Sequence, residues 1–73
     1  MRRAVITGSF DPVTSGHLDL IRRAADIFDE VYAVILFNAE KKSGMFSPED
    51  RLKLLKCAIS ELGENVHADM FSG

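Results

Sequence analysis

Residues 7–21 read TGSFDPVTSGHLDLI, from Thr7 to Ile21, and the order of residue types in that stretch sets the fold. Ala4, Val5 and Ile6 just upstream give a short apolar strand. Gly8 then lets the backbone turn tightly where a side chain would crowd a ligand. Pro12 keeps Asp11 out of helical geometry. Thr14 or Ser15 is placed to cap the amphipathic helix that follows, so the free N–H groups and positive dipole end of that helix open toward the end of the strand. His17 falls in the first turn, where a donor side chain adds to the field felt by an anion. The stretch reads as a strand, a loop and a helix N-terminus arranged around a phosphate.

Working outward, the chain gives five elements in the order βαβαβ, without a linker, an internal repeat or a low-complexity tract. The first strand is expected at about Arg3 to Thr7. A helix is expected from about Gly16 to Phe28, with Leu18, Ile21, Ala25 and Phe28 on one face. Val31 to Leu36, VYAVIL, is a continuous apolar run suited to a central strand covered on both faces. After the loop 37–46, Ser47 caps a second helix with Pro48 at its first position and Glu49 and Asp50 in its first turn. Leu52, Leu55, Ile59 and Leu62 form its apolar stripe, and Gly63 is expected to end it. Asn65 to Met70 is the third strand, with Phe71, Ser72 and Gly73 beginning a loop. Strands alternating with helices imply an α/β fold with a Rossmann-like parallel sheet, which binds ligands at the carboxyl ends of its strands. Neither G-x-G-x-x-G nor G-x-x-x-x-G-K-[ST] occurs, which disfavours a dinucleotide dehydrogenase and a P-loop ATPase.

Composition narrows the classes further. Seventy-three residues, 47% of them hydrophobic, make at most one small domain, and a chain of this size buries only about 60% of its unfolded surface. A net charge of −2 argues against a general nucleic-acid binder, which presents a basic face. The one cysteine, Cys57, has no internal disulfide partner, and its place among Leu54, Leu55, Ala58 and Ile59 is read as packing in a protein of a reducing compartment. No apolar run approaches the roughly 18 residues of a membrane span, and Arg2 and Arg3 lead straight into a strand instead of a signal peptide's apolar core. A cytoplasmic protein is expected.

Gly8-Ser9-Phe10-Asp11-Pro12 followed by Thr14-Ser15-Gly16-His17 resembles the signature of nucleotidyltransferases that carry an HxGH or TxGH motif. Within that superfamily DPVTSGHLDLI is similar to the phosphopantetheine adenylyltransferases, as is the later segment KKSGMFSPEDRLKLL (41–55). Other branches usually have histidine at the position of Thr14. The chain departs from the family at Thr7, where proline is usual, and at Gly44, which looks like an extra residue after Lys41 and Lys42. The resemblance covers the whole chain and only the first half of the family's length. Residues 1–73 are accordingly expected to be the N-terminal part of a single adenylyltransferase domain, with the C-terminal part absent. The first strand would border the switch point and take its other neighbour from that part.

The resemblance implies transfer of the adenylyl group of ATP to 4′-phosphopantetheine, giving dephospho-coenzyme A and pyrophosphate. Ser9 would contact the phosphates of both substrates, the backbone of Phe10 would face ATP, and Lys41 would bind the acceptor phosphate. His17 would bind ATP and stabilise charge on the α-phosphate in the transition state. Mg2+ bridging the ATP phosphates and assembly as a homohexamer are also implied. Plainer readings stand beside these: His17 as a helix cap, Ser9 as a turn residue, Phe10 as a core anchor, and Lys41 with Lys42 as a solvated pair. Asp11 is read as a local Asx-type turn former. Arg22 and Arg23 are read as a solvated helix face, and His67 as an outward-pointing strand residue without metal-ligand spacing. A truncated, non-catalytic ATP-binding or interaction module is the alternative function.

Overall fold

The structure, a computed structural model, describes residues 1–38 and 46–72. Its elements are β1 (Arg3–Gly8), α1 (Ser15–Ile27), β2 (Glu30–Phe37), α2 (Pro48–Ile59) and β3 (Val66–Ser72). They form one parallel sheet in the order β1-β2-β3 with β2 in the centre. This is the α/β, Rossmann-like βαβαβ arrangement expected from the alternation of elements.

The register explains where the core sits. Ala4, Ile6 and Gly8 pair with Val31, Ala33 and Ile35, which in turn pair with Val66, Ala68 and Met70. Side chains alternate between faces along a strand, so these positions share one side of the sheet. Both helices lie on that side, because Ile21 of α1 and Leu55 and Ile59 of α2 join Val31, Ala33 and Ile35 in one buried cluster. Full burial of a side chain such as Leu55 contributes about 1.5–3 kcal/mol. On the other side of the sheet, expected to be covered as well, Val34 is buried whereas Val5, Leu36 and Phe71 are exposed. On it His67 sits 2.6 Å from Glu30 and stacks on Tyr32.

Several boundaries differ from expectation for identifiable reasons. β3 continues through Phe71 and Ser72, because Leu36 and Phe37 of β2 extend the ladder to meet them. α2 stops at Ile59, before Gly63. There the N–H of Ser60 turns back to the carbonyl of Cys57, and the Ser60 hydroxyl donates to that same carbonyl at 2.7 Å. Such bonds satisfy the orphan acceptors of a last turn. Gly63 lies beyond it with φ +132°. Cys57 is exposed rather than packed, since it projects from α2 away from the side that carries Leu55 and Ile59. Arg22 and Arg23 are exposed as expected, both paired with Asp19. No helix of the described residues is long and apolar enough to cross a membrane.

Candidate phosphate-binding site

β1 delivers the chain to Gly8 at the carboxyl edge of the sheet, and Phe10 then turns it. The Phe10 ring is 1% exposed, driven into the core beneath Gly8, where an added Cβ would lie 3.4 Å from the ring. Burying the ring in so short a loop demands a sharp reversal, and Phe10 adopts the left-handed backbone at φ 46°. That conformation costs a non-glycine residue free energy. Phe10 is therefore the core anchor that the sequence suggested. Ser9 stays exposed at the surface beside it.

Thr14 resolves the choice of cap. Its side chain accepts from the N–H of His17, and the His17 side chain accepts from the N–H of Thr14, a reciprocal capping box in which histidine stands where glutamate is usual. The Thr14 N–H reaches His17 Nδ1 at 3.0 Å, and the Thr14 hydroxyl lies 3.1 Å from the same nitrogen. A backbone N–H can only donate, so Nδ1 is the unprotonated nitrogen and the ring proton sits on Nε2. The half-buried ring is further held against Phe10, with centroids 4.8 Å apart at an interplanar angle of 53°. The first turn of α1 contains no acidic residue, so nothing on that turn neutralises the positive end of the helix dipole. The His17 ring thus lies at the positive end of the α1 dipole, a position of the kind that suits an anion.

Asp11 was expected to serve a local turn. Its carboxylate reaches across the chain, accepting the N–H of Phe46 at 3.0 Å and lying 3.6 Å from Nε of Arg51. A buried cation draws the nearest anion toward it. Arg51 went unread in the sequence, yet Arg51, Leu55 and Ile59 recur at i, i+4 and i+8, and all three are buried. The periodicity of α2 thus carried the signal in a residue type usually assigned to the surface. Ser9, Phe10 and His17 are brought to one end of the sheet. Lys41, Lys42 and Gly44 lie outside the described residues.

The family profile described as Cytidylyltransferase-like matches residues 5–71. The chain is 49% identical over its whole length to a phosphopantetheine adenylyltransferase of Streptomyces coelicolor, covering 45% of that protein. It is 49% identical, again over all 73 residues, to one of Clostridium novyi, covering 44% of it. The chain thus spans less than half the length of these relatives. With strand, glycine turn and capped helix in place and the profile running through all three strands, the chain belongs to the cytidylyltransferase-like family.

Proposed function

We propose that this chain supplies the phosphate-binding half of a pantetheine-phosphate adenylyltransferase, which joins ATP to 4′-phosphopantetheine and releases pyrophosphate. The observation that carries the reading is the bond from the Thr14 N–H to His17 Nδ1 at 3.0 Å, which leaves Nε2–H as a donor at the start of α1. The 49% identity to two enzymes so named supports the choice of substrates. The acceptor phosphate is already anionic, so the chemistry requires positioning and charge stabilisation more than a strong base. In this reading the acceptor phosphate oxygen attacks the α-phosphorus of ATP, the bond to the bridging oxygen breaks, and pyrophosphate leaves. His17 donates from Nε2 to the α-phosphate as its charge redistributes. Ser9 contacts phosphates of both substrates, the Phe10 backbone faces ATP, and Lys41 holds the acceptor phosphate as a point charge.

Magnesium would come with the ATP phosphates. The described residues contain no group of three or more His, Cys, Asp or Glu side chains able to hold a metal ion, and this ion is commonly bound through substrate phosphates and water. We place the reaction in the cytoplasm, which suits the free, exposed thiol of Cys57. Assembly as a homohexamer is part of the same proposal, and neither nucleic acid nor membrane is a proposed partner. The second reading is a non-catalytic ATP-binding or interaction module.

The test is a chimera that joins this chain to the part of the Streptomyces coelicolor relative beyond the aligned region. Formation of dephospho-coenzyme A and pyrophosphate, dependent on both substrates, is expected. Binding of ATP without product would favour the module.

A further inference from the structure

Arg51 is the one buried polar or charged residue among the described residues, at 7% exposure. Removing a guanidinium from water is costly, and a buried ion pair is often replaceable by apolar side chains without loss of stability. Its three partners are therefore informative. Nε donates to the carbonyl of Phe46 at 2.9 Å, Nη1 donates to the carbonyl of Ser9 at 3.5 Å, and Asp11 Oδ1 lies 3.6 Å from Nε. Ser9 and Asp11 flank Phe10, the residue with the left-handed backbone. Arg51 thus grips the loop on both sides of its most strained position.

We propose that Arg51 is a positioning residue for the phosphate loop, acting from α2 through the Ser9 carbonyl and the Asp11 carboxylate to fix the Ser9–Phe10 peptide plane. In a planar trans peptide the C=O and N–H point in opposite directions. Holding the Ser9 carbonyl toward Arg51 therefore aims the Phe10 N–H away from α2, leaving it available to an anion. The consequence rests on the reading of this loop as a phosphate site, whereas the orientation of the peptide does not. Guanidinium suits the task because its rigid plane donates to two carbonyls while its charge faces a carboxylate, a combination that an ammonium cannot reproduce.

The test compares the 15N-labelled chain with its Arg51→Lys and Arg51→Met variants by amide NMR, with pyrophosphate as the anion probe. Lysine keeps the charge, and methionine fills similar volume without donors, so at least one variant is expected to retain the amide pattern of the β2–β3 ladder. In the folded variant the Phe10 amide signal should shift or broaden and its three-bond HN–Hα coupling should change. Pyrophosphate affinity should fall on the order of tenfold, the scale of one lost charge-assisted hydrogen bond. An unchanged Phe10 amide and coupling in a folded variant would overturn the positioning role. If both variants lose the ladder, Arg51 is a folding residue and the proposal is overturned as well. If the parent chain binds no pyrophosphate, the phosphate reading fails, while the Phe10 signal still decides whether Arg51 orients the peptide.

Discussion

The backbone N–H of Thr14 points at Nδ1 of His17 from 3.0 Å, so the residue that caps α1 also sets the tautomer of the histidine three positions on. A ring proton on Nδ1 would collide with that N–H, and the proton is confined to Nε2. Nitrogen-15 correlation spectra of the chain at mildly alkaline pH should show His17 as the Nε2–H tautomer. Thr14→Pro, which removes the N–H, should allow both tautomers. A His17 signal typical of the Nδ1–H form in the parent chain would contradict the capping geometry.

Lys41 and Lys42 are neighbours of the same charge, so their substitution separates a specific role from a general field. In the chimera, Lys41→Ala should weaken binding of 4′-phosphopantetheine by roughly tenfold or more, the loss of a hydrogen bond to a charged group. ATP affinity should be nearly unchanged. Lys42→Ala should have a much smaller effect. Equal losses from the two substitutions would remove the assignment of Lys41, and isothermal titration of each ligand reads the difference.

Asn65 joins the end of α1 to the start of β3. Its Nδ2 donates to the carbonyls of Ala25 at 3.1 Å and Phe28 at 3.4 Å, while its own carbonyl accepts the N–H of Val31. Asn65→Ala should therefore destabilise the chain by about 1–3 kcal/mol through unsatisfied acceptors. Leu55→Ala, at a fully buried position, should cost about 2–5 kcal/mol. Urea unfolding measures both, and a change below about 0.5 kcal/mol for Asn65→Ala, the range of a surface substitution, would deny the bridge its role.

Much of this architecture was legible because the periods are strong. The alternating apolar positions of β1, the run VYAVIL and the Ser47–Pro48 helix start each carry a local physical cause, and each element appears within two residues at the ends where such a cause exists. The end of β3 depends on partners distant in sequence, whereas the end of α2 turns on a side-chain hydroxyl that apolar periodicity does not weigh. β3 is lengthened by pairing with Leu36 and Phe37, and α2 is stopped by the Ser60 hydroxyl. The site followed the same division. Thr14 and His17 are three residues apart, and their juxtaposition follows from helical geometry. Asp11 meets Phe46 across 35 residues, and Arg51 meets Ser9 across 42, so only the tertiary fold reveals them. Cys57 was misread because apolar neighbours in sequence are not neighbours on a helix face.

The chain by itself is expected to release no measurable pyrophosphate when given ATP, 4′-phosphopantetheine and magnesium. β1 pairs only with β2 among the described residues, and in-line transfer needs both substrates fixed together. An unpaired strand edge also favours self-association. Adding a separately made C-terminal part of the Streptomyces coelicolor relative should restore product formation. Release by the isolated chain at rates near those of an ordinary enzyme would show that its own residues suffice.

His17, proposed to act on the transition state from the start of α1, is tested most directly by turnover of the chimera with His17 and with His17→Ala. Loss of a donor used chiefly in the transition state should lower kcat roughly 100-fold or more, with little change in the affinity for 4′-phosphopantetheine. Turnover of the His17→Ala protein within a few-fold of the parent would contradict the claim.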